Sequence, residues 1–183
     1  MQLYLLRQLF LIVILWLNLN LEVGEILKRN QLKEIQNNSM SEIRLGILGG
    51  GQLGSMLSVA TKKLNIKSVV FSDDQNAPAQ NFCDEFIFGD YKNKNKINDF
   101  VGKVSIVTYE FENIPYETLN EINKFKTVNP KPSINRLIQH RLAEKDFVNK
   151  LNIRTTRYVS IEKKSDLETL DDFLPGILKT TTM

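Results

Sequence analysis

The stretch Arg44-Leu45-Gly46-Ile47-Leu48-Gly49-Gly50-Gly51-Gln52-Leu53-Gly54 decides how this chain folds. A short apolar run, Arg44 to Leu48, ends abruptly in three glycines. Leu53, Met56, Leu57, Ala60 and Leu64 then recur at helical spacing, closing at Asn65. Strand, glycine turn and helix in that order fit G-x-G-x-x-G. The glycines permit a tight turn, and the helix start offers open N–H groups and a positive dipole end to an anion. Asp73 and Asp74 follow about 20 residues beyond Gly54, where a dinucleotide fold holds a ribose hydroxyl. On its own this motif reads as an NAD(P)-binding domain of an oxidoreductase, the lesser alternative being a strand-to-helix turn that binds nothing.

Outward from that stretch, short β-branched runs alternate with helical ones. Ser68 to Phe71, Glu85 to Phe88 and Val104 to Thr108 read as strands, and Thr127-Val128 as a fifth, cut off by Asn129-Pro130. Tyr116 to Asn123 reads as a helix behind Pro115. Tyr91 to Lys103 is a polar helix or loop, and its Lys/Asn bias at 91–98 reads as solvated. The alternation predicts an α/β domain with a small doubly wound parallel sheet over residues 40–132.

The flanks differ. The run Leu9–Leu17, LFLIVILWL, follows Arg7 but falls well short of the about 20 apolar residues of a spanning helix. It lacks the small-residue cleavage site of a secretory signal. Residues 1–39 read as an anchor, an amphipathic extension, or a stretch upstream of a true start at Met40. We prefer the third reading, because Met40-Ser41-Glu42 leads straight into the first strand. Beyond the sheet, residues 133–183 form a second, cut-short unit. Lys131 to Asn152 reads as one long helical region, with Leu142, Phe147, Val148 and Leu151 on one side. Ile153 to Ser160 reads as extended, a helix starts at Ser165, and Gly176 to Lys179 begins a strand.

Composition narrows the chemistry. The 24 Lys and Arg against 21 Asp and Glu leave a net charge of +3, too small for the basic field of a nucleic-acid binder. One cysteine, Cys83, rules out an internal disulfide and suits a reducing, cytoplasmic setting. With one histidine, His140, a Cys/His zinc site is excluded. A metal would need oxygen ligands, as Mg²⁺ does.

Two further segments carry chemistry. Thr108-Tyr109-Glu110-Phe111-Glu112-Asn113-Ile114-Pro115 lies at the carboxyl end of the fourth strand, where open α/β sheets bind ligands. Glu110 and Glu112 would point to one side if the chain stayed extended, ready to accept from hydroxyls or an amine. Either could instead cap a helix or sit in solvent. Gln139-His140-Arg141-Leu142-Ala143-Glu144-Lys145, and much later Lys179, offer cations for phosphates or ordinary surface charges.

In order, LGILGGGQLGSML at 45–57, VTYEFENIP at 107–115, Asn129-Pro130, RLAEKDFVNKLNI at 141–153 and GILKTTT at 176–182 resemble the amino-terminal part of the 5-(carboxyamino)imidazole ribonucleotide synthases. These are purine-biosynthesis members of the ATP-grasp superfamily. The resemblance implies a Rossmann-like pre-ATP-grasp domain followed by the start of an ATP-grasp domain. It implies carboxylation of 5-aminoimidazole ribonucleotide with bicarbonate and ATP, in a homodimer when full length. It implies that Gly51, Gln52, Leu53 and Glu110 meet the ribonucleotide, and that Arg141 and Lys179 meet ATP. The family's Mg²⁺ carboxylates and phosphate-covering glycine loop would lie beyond Met183, so no catalytic residue falls here and the chain is expected to be inactive alone. His140 stands where an Asp or Asn would be expected before the Arg, and it takes no role from the family. A stand-alone nucleotide-binding module is the remaining alternative.

Overall fold

The computed structural model describes residues 43–182. The reading of residues 1–39 lies outside the described residues. Two compact units appear, one running to Pro132 and one from Ser133.

In the first unit, five parallel strands form one sheet in the order β3-β2-β1-β4-β5. They are β1 (Arg44–Leu48), β2 (Lys67–Ser72), β3 (Glu85–Phe88), β4 (Ile106–Tyr109) and β5 (Val128–Asn129). Between them run α1 (Gln52–Lys63), a 3₁₀ turn at Pro78–Asn81, α2 (Lys94–Lys103) and α3 (Tyr116–Ile122). Register is set by apolar residues on both faces. Leu45, Ile47, Val70 and Ile106 join the core on one face, with Ala79 of the 3₁₀ turn and Leu57 of α1. Leu48, Val69, Phe71, Val107 and Tyr109 join the other, with Ile97 and Phe100 of α2 and Leu119 and Ile122 of α3. Period-two alternation with apolar residues at nearly every position is what a sheet covered on both sides requires.

The chain steps outward from β1 to β2 to β3, then crosses back to β4 on β1's other side. The strand order therefore reverses between β1 and β4. In open α/β sheets the ligand crevice lies there, outside the carboxyl ends of the strands.

Several details depart from the sequence reading. The fourth strand starts at Ile106, two residues later than Val104; at its entry the Ser105 N–H donates to the Arg44 carbonyl, and the Ser105 hydroxyl oxygen accepts from the Arg44 amide in place of a backbone carbonyl. Helix α1 forms where expected, but its buried side is Gly54, Ser55, Ser58 and Thr61. Met56 and Leu64 are both 56% exposed. Small residues let α1 lie close to the strands. Their hydroxyls are satisfied within the helix: Ser58 Oγ donates to Gly54 O at 2.8 Å and Thr61 Oγ1 to Ser58 O at 2.8 Å. The Lys/Asn-rich segment is helical from Lys94, capped by Asn93, whose side chain accepts from the Asn95 and Lys96 amides. Tyr91, just before it, is buried.

The second unit is where expectation fails most. The single helical region is two helices, α4 (Pro132–Ile138) and α5 (Arg141–Lys150). His140 breaks them and caps α5, its Nδ1 accepting from the Ala143 amide at 3.3 Å. No residue of α5 is buried, and Phe147 and Leu151 stand exposed. Ser165 lies in a 3₁₀ turn, Lys164–Thr169, and Gly176 to Lys179 is an exposed irregular segment, not a strand. A strand needs a neighbour to hydrogen-bond, and none is present among the described residues of this unit. Among the described residues no helix is long and apolar enough to cross a membrane.

Candidate functional site

The glycine loop is shaped around one carboxylate. Gly49 leaves β1 with φ +106°, a conformation that glycine adopts without strain, while its N–H donates to Phe71 O at 2.9 Å. A Cβ there would sit 2.7 Å from Glu110 Oε1, and one on Gly51 would sit 3.2 Å from the same atom. Gly50 faces the other way: its Cβ would meet Ala77 Cβ at 2.5 Å. A Cβ on Gly54 would meet the Gly49 carbonyl at 2.5 Å, so the turn closes tightly only with glycine.

Glu110 comes from the neighbouring strand. Its own N–H donates to Leu48 O at 3.0 Å, continuing the β1–β4 ladder by one residue. There the chain bends, and it turns through 112–113. The carboxylate swings over the glycine loop and accepts from the Gly51 amide at 3.0 Å. Gly51 is the N-cap of α1 and has no side chain to cap with. Glu110 supplies that cap from 59 residues away, placing its charge at the positive end of the helix.

The environment of Glu110 pulls in two directions. Burial pushes its carboxyl up; the Gly51 amide pulls it down; the Glu112 charge pushes it up; the Gly54 amide pulls it down; the net shift is upward. The strand does not remain extended to Glu112, so the same-side geometry expected for two carboxylates on a strand is absent. Even so, Glu112 folds in close enough to act on Glu110, and it is buried rather than solvated.

A carboxylate on this amide bears on the dinucleotide reading. In that reading the same helix start binds a pyrophosphate. Here it already holds an anionic oxygen, and a second anion would meet repulsion from Glu110 and Glu112. Gln52 is exposed in the first turn of α1 and Leu53 half-buried beside it, so Gly51, Gln52, Leu53 and Glu110 gather at the strand-order switch.

Next to this lies a cleft of about 490 Å³ lined by Asp73, Phe88, Asp90, Tyr91, Lys92, Phe111, Asn113 and Pro115. It is formed by the loops that follow β2, β3 and β4. Most of its walls escape a motif reading, because Tyr91 and Lys92 are hidden in a compositionally biased segment. The sequence signals that reach it are Asp73, at the exit of the second strand, and the segment at the end of the fourth that holds Phe111, Asn113 and Pro115. Asp74 is not among the lining residues; its Oδ1 accepts from the Asn76 amide at 2.8 Å, holding the loop.

Within the second unit, Arg141 lies against the segment that carries Lys179. Its amide donates to Thr181 O at 2.8 Å and its Nε to Thr180 O at 3.1 Å. Lys179 itself is exposed. Among the described residues no group of three or more His, Cys, Asp or Glu is placed to hold a metal ion.

The open doubly wound sheet thus carries, at its switch point, a carboxylate where a dinucleotide-binding fold seats a pyrophosphate. Residues 40–139 match the model of the ribonucleotide synthetase preATP-grasp domain, more than half of the chain. The chain belongs to that family. It is 36% identical over 141 residues to the bifunctional purine synthesis protein purC/E of Dictyostelium discoideum, covering 76% of this chain and 14% of that protein. The crystal structure of an ADP complex of N5-carboxyaminoimidazole ribonucleotide synthetase is similar with a TM-score of 0.71 and 29% identity, over 79% of this chain and 39% of that one. The Aspergillus clavatus synthase in complex with ADP and 5-aminoimidazole ribonucleotide is similar with a TM-score of 0.57 and 28% identity, over 64% of this chain and 32% of that one. The chain thus spans well under half the length of these relatives.

Proposed function

We propose that this chain is the amino-terminal part of an ATP-grasp ligase that carboxylates 5-aminoimidazole ribonucleotide with bicarbonate, consuming ATP in purine biosynthesis. The first unit is the pre-ATP-grasp domain and contributes the ribonucleotide site; the second is the beginning of the ATP-grasp domain. The setting is cytoplasmic, and the full-length protein a homodimer. One observation carries the reading: Glu110 sits on the Gly51 amide at the strand-order switch, a carboxylate where a phosphate-binding loop would keep its amides open.

The chemistry follows from charge. A carboxylate held at that crevice accepts hydrogen bonds from the hydroxyls of a ribosyl group or from an amine. Gln52 is exposed in the first turn of α1, beside Leu53, so its side-chain amide can donate to the phosphoribosyl end. Arg141 and Lys179 carry the cations that ATP phosphates need: Arg141 by its planar fork, Lys179 as a mobile point charge. Phosphoryl transfer from ATP to bicarbonate rests on positioning and charge stabilisation, with Mg²⁺ sharing the phosphate charge when bound. This chain's own residues orient the ribonucleotide and hold one side of the ATP.

The test is steady-state kinetics on the full-length enzyme. Glu110→Gln removes a charge-assisted bond of about 1.5–3 kcal/mol and should raise the ribonucleotide KM about tenfold or more, with the ATP KM nearly unchanged. Lys179→Ala should do the reverse. A Glu110→Gln variant that weakens ATP and spares the ribonucleotide would assign the carboxylate to the ATP clamp instead.

A further inference from the structure

The cleft beside the glycine loop has no role in the reading above, yet it has the make-up of a ligand site. Its volume of about 490 Å³ falls within the range of small-molecule pockets, about 300–1,000 Å³. Phe88 and Phe111 stand 45% and 38% exposed on its walls. Two phenylalanine rings left open to water beside one concavity cost hydration free energy that a flat apolar ligand would recover.

The polar groups are as specific. Asp73 leaves β2 at the position where open α/β folds place a carboxylate against ribose hydroxyls. It is exposed, and Asp74, not Asp73, holds the loop together. Behind them Tyr91 is 4% exposed and packs its ring 5.2 Å from that of Phe71. The Ser72 hydroxyl and the Asp73 amide face its phenol oxygen. The Thr118 hydroxyl donates to the Tyr91 carbonyl at 2.9 Å, tying this wall to α3. Asp73 therefore stands on a braced wall. Asp90 Oδ1 accepts from the Lys92 amide at 2.7 Å, so Asp90 offers its second oxygen across the lining, Asn113 adds an amide, and of the lining residues Lys92 alone is cationic.

We propose that this cleft is a second, separate site for a nucleoside: a flat nitrogen heterocycle against Phe88 and Phe111, with its ribose diol on Asp73. The carboxylates Asp73 and Asp90 disfavour a polyphosphate here, and the helix start that would bind one is held by Glu110. The ligand is thus a ribosylated base whose exocyclic amine can donate to Asp90 or to the Asn113 carbonyl oxygen. The cleft's lining includes neither Glu110 nor any residue of the glycine loop.

The experiment is calorimetric titration of the full 183-residue chain with adenosine as probe, against 2′,3′-dideoxyadenosine. Adenosine should bind at least about tenfold more tightly than the dideoxy analogue, since a hydrogen bond to a charged group is worth about 1.5–3 kcal/mol. Asp73→Asn should remove most of that preference, and Phe111→Ala should weaken both ligands several-fold. Both side chains are exposed, and matched circular dichroism spectra would confirm folding. Glu110→Gln should leave adenosine binding unchanged, which separates this site from the ribonucleotide crevice. No heat with adenosine at millimolar concentration would overturn the proposal. So would a diol preference that survives Asp73→Asn, or adenosine binding that is lost in Glu110→Gln.

Discussion

The Gly51 amide and Glu110 Oε1 meet at 3.0 Å, joining the turn after β1 to the end of β4. Each side of that contact explains the other. Gly49 must lack a Cβ because the carboxyl group occupies the space, and a Cβ on Gly51 would crowd the same oxygen. The carboxylate, in turn, caps a helix that starts without a capping side chain. A charge retained in a half-buried place at a net cost to its ionised form is a mark of a functional group.

The stability of the fold should carry that cost visibly. The folded Glu110 carboxyl is raised above its ordinary value of 4.5, with burial the largest cause. Between the unfolded and folded values the native state binds more protons, so this group's contribution weakens stability as pH rises through that window. Below the unfolded value the penalty is absent. Glu110→Gln should therefore compare more favourably with the native protein at pH 7 than at pH 4. Urea midpoints at both pH values check this, and a benefit confined to pH 4 would contradict it.

Gly49→Ala should be more damaging than Gly51→Ala. The first combines a φ of +106° with a Cβ 2.7 Å from Glu110 Oε1; the second only crowds that atom, at 3.2 Å. A strained non-glycine residue of this kind costs about 1–3 kcal/mol. Thermal melts of the two variants should rank them in that order, and adding Glu110→Gln should not rescue Gly49→Ala, since its backbone strain remains.

Phe100 fills the space above Gly46. It is fully buried, and a Cβ on Gly46 would lie 2.6 Å from its ring. Phe100→Ala should destabilise by about 3–5 kcal/mol. Gly46→Ala should cost about 1–3 kcal/mol by overpacking. The two changes together should cost less than their sum, because the new methyl group enters the vacated space. A double-mutant cycle by urea unfolding reads this coupling directly.

At the opposite end of the sheet, Glu85 pairs with Lys103 and with Arg44, whose Nη2 lies 3.1 Å away. The Lys103 hydrogen bond is the main reason its carboxyl is held below the ordinary value. The sign is opposite to that of Glu110: stability from this group is present above the unfolded value and lost as pH falls through the folded one. Both partners are about one-third exposed, so water screens the pair. Glu85→Gln should give a small loss at pH 7 that shrinks in high salt and disappears as pH falls through the lowered folded value, as followed by melting temperature.

The sheet was legible because its signals are local. Leu45, Ile47, Val70 and Val107 lie in short apolar runs bounded by glycine, Asp and Pro, and strands buried on both faces read that way. The helix after the glycines was legible too, but not its buried side. Hydrophobicity points to Met56 and Leu64, whereas close approach to the strands selects Gly54, Ser58 and Thr61. Glu110 could be singled out by its place at a strand end. Its partner, the Gly51 amide, could not, because that contact depends on β4 lying beside β1. The second unit misled for a different reason. Phe147, Leu151, Ile177 and Leu178 have the pattern of helix and strand, but each stands exposed, and Gly176 to Lys179 has no strand beside it among the described residues. Pattern alone does not form a strand without a partner.

The central claim is that the Gly51–Glu110 crevice takes a ribonucleotide and not a dinucleotide. Calorimetric titration of the 183-residue chain with 5-aminoimidazole ribonucleotide and, separately, with NAD tests it most directly. The account predicts weak but measurable binding of the ribonucleotide, reduced about tenfold by Glu110→Gln, and no response to NAD. Tight NAD binding, with no ribonucleotide response and no effect of Glu110→Gln, would contradict it.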